Sequence, residues 1–235
     1  SDYPEKKTLL FDIPKWCIQC KRFIHRELVS PNGFLCVKCY ERLPKFSDSQ
    51  CLKCGGYHDP VNCNEEWSQN ISDLSAIFPY ENPLQNWISS FKYSRNIRLG
   101  RMLRNFVTDW FKSNPGKTKN IDWIVPVPIH YTALRKRGFN QTSFLIAKQK
   151  ELKEKGSLLI KNKKTEQLAG KNKAERKGVL KGVFSLKRDV IGKKILLFDD
   201  VCTTGQTLSE ISRMLKKAGA SRVDCLVLCR SLNFC

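Results

Sequence analysis

Residues 195–207 read ILLFDDVCTTGQT, and no other stretch limits the fold as tightly. Four large apolar residues in a row mark a buried strand. Two adjacent acids follow at its end, then a threonine-rich turn around Gly205, then the apolar spacing of a helix from Thr207 to Ala218, stopped by Gly219. A strand that runs through a tight turn into a helix is a building block of sheets with helical crossovers. The turn also has chemical uses. A helix start offers unpaired N–H groups and a positive dipole end, Gly205 lets a ligand approach the backbone, and Thr203, Thr204 and Thr207 add hydroxyls. Asp199 and Asp200 suit sugar hydroxyls, directly or through Mg²⁺. A capped turn with no ligand satisfies the same spacing, so on residues alone both readings stand. GxxxxGK[ST] is absent, and no GxGxxG follows a strand.

The rest of the chain past residue 70 supports an α/β fold with a mostly parallel sheet. Strands are expected at Leu74–Tyr80, Asp122–Val127, Ser157–Ile160, Lys194–Asp199 and Val223–Cys229. Helices are expected at Leu84–Tyr93, Leu99–Phe111, Phe139–Leu152 and Thr207–Ala218. Lys161–Lys177 is polar and lysine-rich and reads as a loop. A boundary in the polar run Asn64–Ser72 divides a cysteine-rich module, residues 1–70, from the α/β domain, residues 71–235.

Seven of the eleven cysteines precede residue 64. Cys17-x-x-Cys20 and Cys36-x-x-Cys39 make two knuckles that suit one tetrahedral Cys₄ zinc site, with a redox-active pair as the competing reading. Cys51-x-x-Cys54 with His58 and Cys63 is either a modified second zinc site or a decayed one. Cys202, Cys225 and Cys229 read as structural thiols. No apolar run approaches the ~20 residues that span a bilayer, and residues 1–17 do not resemble a secretory signal. The expectation is a soluble, cytoplasmic chain without membrane insertion.

Lys and Arg number 42 against 22 acids, a net charge of +20, nearly all of it beyond residue 70. Such an excess attracts phosphates, on a small molecule or on nucleic acid, although solvated lysines account for a surplus equally well. Arg135, Lys136 and Arg137, after a strand and before a helix, are candidates for a pyrophosphate, while Asn140 and Gln141 read as helix caps. Trp87, Phe91, Tyr93, Trp110, Phe139 and Phe144 would stack bases if exposed, but their helical spacing favours the core.

ILLFDDVCTTGQT resembles the 5-phosphoribosyl pyrophosphate (PRPP) motif of type I phosphoribosyltransferases nearly residue for residue. Further segments resemble the ComF family: Phe91–Tyr93, Val125–Pro128, Arg135–Gln141, and Thr165–Leu168 followed by Arg176, Gly178, Val179 and Phe184. The likeness runs from Cys17 to Arg230. It implies a small zinc-ribbon module on a phosphoribosyltransferase-like domain, with PRPP held by Asp199, Asp200, Val201, Cys202, Thr203, Thr204, Gly205, Gln206 and Thr207. Val127, Arg135 and Arg137 would lie on the pyrophosphate side, and Asp199 and Asp200 would be the catalytic acids. Lys161–Lys181 corresponds to a loop that closes over PRPP, with Gln167 and Arg176 within it. The family is associated with DNA uptake in natural transformation, which implies single-stranded DNA and a competence helicase as partners. One departure is evident: Cys63 stands alone where such chains carry a fourth Cys pair. Two functions remain open, a binding protein of DNA uptake and an active phosphoribosyltransferase whose acceptor the sequence does not name.

Overall fold

The computed structural model describes residues 15–46, 51, 54–55, 66–149, 153–154, 158–163 and 182–231. The chain forms two compact units, Ser1–Leu43 and Pro44–Cys235. His58, Cys63, Gln167, Arg176 and most of the lysine-rich segment lie outside the described residues.

The first unit is small. Strands β1 (Lys15–Trp16) and β2 (Phe23–Ile24) pair antiparallel, with Lys15 opposite Ile24. A five-residue helix, α1 (Val37–Glu41), starts from Cys36. Its buried residues are Cys17, Ile18, Ile24, Leu35 and Leu43, with Ser30 and Asn32.

The second unit is built on β3 (Asp73–Pro79), α2 (Leu84–Tyr93), α3 (Ile97–Ser113), α4 (Pro115–Thr118) and β4 (Trp123–Pro126). After β4 come α5 (Tyr131–Arg137), α6 (Gln141–Ile146), β5 (Lys153–Glu154) and the antiparallel pair β6 (Leu159–Lys161) and β7 (Phe184–Leu186). Last come β8 (Lys194–Cys202), α7 (Gln206–Lys217) and β9 (Arg222–Arg230). Five strands form one sheet in the order β3-β9-β8-β4-β5, and every pairing is parallel. Parallel strands buried on both faces need near-continuous apolar runs, and β8 and β9 supply them. Ile195, Leu197, Val223, Cys225 and Val227 join Leu208, Ile211 and Leu215 of α7 in one cluster. The alternating residues Ile124, Leu196, Phe198, Leu226 and Leu228 are buried as well, and α6 packs on β8.

Sequence expectations and structure differ in places. β8 continues three residues past Asp199, because Val201 and Cys202 keep their register with β9. Arg135, Lys136 and Arg137 form the last turn of a helix and not an open turn. α6 ends at Ile146, earlier than the apolar spacing suggests. Trp87 and Phe91 are core residues, whereas Tyr93 is exposed. Residues 44–46 and 66–70 belong to the α/β unit, so the compact division falls earlier than the compositional one.

Candidate functional site

From β4 the chain crosses to β5 on one side of the sheet, and from β8 it crosses to β9 on the other. The strand order therefore reverses between β4 and β8. In an open parallel sheet the crevice beyond the carboxyl ends of such a strand pair is where ligands bind. A cleft of about 500 Å³ lies there. Val127, Pro128, Ile129 and His130 line it from the end of β4, Asp199 from β8, and Thr207 from the start of α7. Lys92, Tyr93, Lys136, Arg137, Gln141 and Lys161 also line it.

The acid pair lies near the carboxyl end of β8, which runs on to Cys202. Asp199 Oδ1 accepts the Asp200 N–H at 2.8 Å, which fixes its rotamer. Asp200 is buried, and its Oδ2 lies 2.5 Å from Lys92 Nζ, reaching over from α2. Burial pulls the Lys92 ammonium down, but the Asp200 carboxylate more than offsets this and leaves it above the usual lysine value. The Asp199 carboxyl is pushed well above the carboxylate range, first by burial and then by Asp200 beside it, with Lys92 acting the other way. Asp199 Oδ1 and Asp200 Oδ2 thus have neighbours within reach, and the two carboxyl side chains also meet each other. Mg²⁺ usually takes only one or two carboxylates and keeps waters and substrate phosphates. These hard oxygen donors fit it, or a pair of hydroxyls.

After Cys202 the turn Thr203–Gly205 leads into α7. Gly205 has φ +71°, a conformation open to glycine, and the ring of Trp67 covers it so closely that a Cβ would sit 2.3 Å from the ring. On the other wall, the Val127 carbonyl accepts the Thr142 hydroxyl at 2.8 Å. Asn140 caps α6, as expected, accepting the Thr142 N–H at 3.2 Å. Arg137 donates to Gln141 Oε1 at 2.9 Å and stands over the Tyr93 ring at 5.1 Å. Lys136 and Arg137 reach the cleft, whereas Arg135 is exposed and not among the described residues lining it.

Spacing alone singles out neither His130 nor Lys92, and Lys161 reads only as the first residue of the lysine-rich loop. His130 caps α5 through Nδ1 and lines the cleft. Burial holds Lys161, on β6, below the usual lysine value, with Asp199 opposing. Lys92 is one residue on the polar side of an amphipathic helix, and nothing local distinguishes it from a solvated lysine.

The first unit holds a separate constellation. The sulfurs of Cys17, Cys20, Cys36 and Cys39 all lie within 4.8 Å of one another, and Cys20 and Cys36 are 3.9 Å apart. Four sulfurs about 2.3 Å from a tetrahedral zinc are separated by comparable distances, so the set fits the metal. The Cys36 N–H points to Cys17 Sγ at 3.4 Å. Burial raises the Cys17 thiol, but N–H groups of Cys20, Cys36 and Gln19 outweigh it and bring the value to about 7. Burial, then the neighbouring thiols, push Cys39 up. Among the described residues this is the one group of three or more such side chains able to hold a metal ion. Cys51 and Cys54 are both buried in the second unit.

Comparison with known proteins agrees with this geometry. The phosphoribosyl transferase domain family matches residues 127–233, from the end of β4 to just past β9. Competence protein F of Haemophilus influenzae is 28% identical over 92% of this chain and 96% of its own length. Competence protein ComFC of Streptococcus pneumoniae is 27% identical, covering 86% of this chain and 90% of its own. DNA utilization protein YhgH of Escherichia coli is 25% identical, covering 95% and 100%.

Proposed function

We propose, for a chain that belongs to the ComF family of phosphoribosyltransferase-fold proteins, a PRPP-binding role in the uptake or utilisation of DNA. One observation carries the reading: Asp199 and Thr207, the two ends of the acid-pair, turn and helix-start segment, both line the crevice at the point where the strand order reverses. In this reading the ribose hydroxyls meet Asp199 and Asp200, with or without Mg²⁺, and the 5-phosphate meets Thr203–Thr207. The pyrophosphate extends along Val127–His130 toward Lys136 and Arg137. The relatives' names supply the DNA context, and the basic surplus suits a polyanion.

Calorimetric titration with PRPP, with and without magnesium, tests this. Saturable uptake that Asp200→Asn weakens at least tenfold is expected; no uptake in either buffer overturns the reading. A second reading, catalysis of ribosyl transfer, draws on the breadth of the cleft, which holds Lys161 and Arg137 beyond the acid pair. It predicts pyrophosphate release from PRPP with a suitable nucleophile. In the first unit, the Cys₄ set supports one structural zinc; a second, at Cys51 and Cys54 with His58 and Cys63, would show as two zinc ions per chain by elemental analysis.

A further inference from the structure

Arg230 ends β9 and is wholly buried. A guanidinium removed from water needs its donors satisfied, and here the acceptors are main-chain carbonyls. Nε donates to the Cys54 carbonyl at 2.9 Å. Nη1 donates to the carbonyls of Cys202 at 3.2 Å and Ser231 at 2.8 Å, and to that of Thr203. The cation also lies over the Trp67 ring, 5.5 Å from its centre, and that same ring covers Gly205.

In a trans peptide the C=O and N–H point in opposite directions. Carbonyls of Cys202 and Thr203 drawn toward Arg230 therefore turn the N–H groups of Thr203 and Thr204 away from it. Arg230 approaches from the β9 side of β8, while the cleft lies on the β4 side. Successive N–H groups facing one way make an anion cradle, and the start of α7 adjoins it.

We infer that Arg230 is the positioning residue of the phosphate loop, holding the two peptide planes from behind so that the Thr203 and Thr204 amides face a sugar phosphate. The inference rests on the ribosyl-phosphate reading above and adds a residue that touches no ligand. Lysine keeps the charge but has no planar fork to serve several carbonyls at once, so Arg230→Lys separates geometry from charge.

The test titrates the full chain with PRPP by calorimetry and follows the Thr203 and Thr204 amides by ¹H–¹⁵N NMR. Arg230→Lys is expected to lose at least tenfold in affinity and to lose the ligand-induced shifts of both amides. Asp200→Asn, which weakens binding from the ribose side, is expected to keep those shifts at saturation. Unchanged affinity or unchanged amide shifts in Arg230→Lys overturns the inference. If that variant does not fold, Trp67→Phe is expected to weaken PRPP about threefold with reduced amide shifts, and wild-type values there overturn it. A wild-type chain that takes up no PRPP removes the underlying reading, and the inference falls with it; uptake with an indifferent Arg230 removes the inference alone.

Discussion

The two units keep their shape by different means. The α/β unit buries most side chains of β8 and β9, the larger part of them in an apolar core, whereas the cysteine unit, among its described residues, buries five apolar or thiol side chains and has strands only two residues long. So small a core among the described residues offsets little chain entropy, and a metal ion held by the four cysteines would supply what is missing. On the proposed metal site, stability would come from a metal ion in one unit and from hydrophobic area in the other, and the two should fail under different insults.

The sharpest break between them is chelation. Strong chelator, or Cys17→Ser, is expected to abolish cooperative unfolding of the first unit while the second keeps its transition, as read by circular dichroism beside zinc content. The converse insult is Phe198→Ala. It empties a fully buried site in β8 and should cost about 3–5 kcal/mol in denaturant unfolding of the second unit, with zinc content unchanged. Lys92→Met refines the contrast, because it leaves the buried Asp200 carboxylate without its counter-ion. A loss of up to about 3 kcal/mol is expected in the second unit, together with weaker PRPP uptake. Gly205→Ala should cost about 1–3 kcal/mol, since the new methyl meets Trp67 and the backbone is left-handed. The smallest effect belongs to Asn96→Ala, which removes the side chain that caps α3 by accepting the Leu99 N–H at 3.1 Å. About 1 kcal/mol is expected, with no change in ligand affinity.

Much of this was legible in the letters. The apolar run at 195–198, the spacing in Leu84–Tyr93 and the paired cysteines report local patterns, and local patterns survive in sequence. Asp199, Asp200 and Gly205 were readable because strand, turn and helix start adjoin in the chain. Lys92 and Arg230 were not, because their partners lie far away: Lys92 meets an acid 108 positions on, and Arg230 reaches back 176 positions to Cys54. An arginine closing the apolar run Cys225–Cys229 was the available clue, since a buried cation must have been given acceptors. The start of the second unit was misleading for a related reason. Residues 44–70 have the composition of the cysteine module, yet Trp67 packs in the α/β core.

That packing bears on how the protein can be dissected. A fragment cut at residue 71 would keep every letter of the recognised motif, yet would lack the indole under Gly205 and the carbonyl that Arg230 holds at Cys54. Excision at Pro44 spares both. Cys54 and Trp67 therefore support the end of β9 and the turn at Gly205, and the chain from Pro44 onward should travel with the sheet whenever the modules are separated or exchanged.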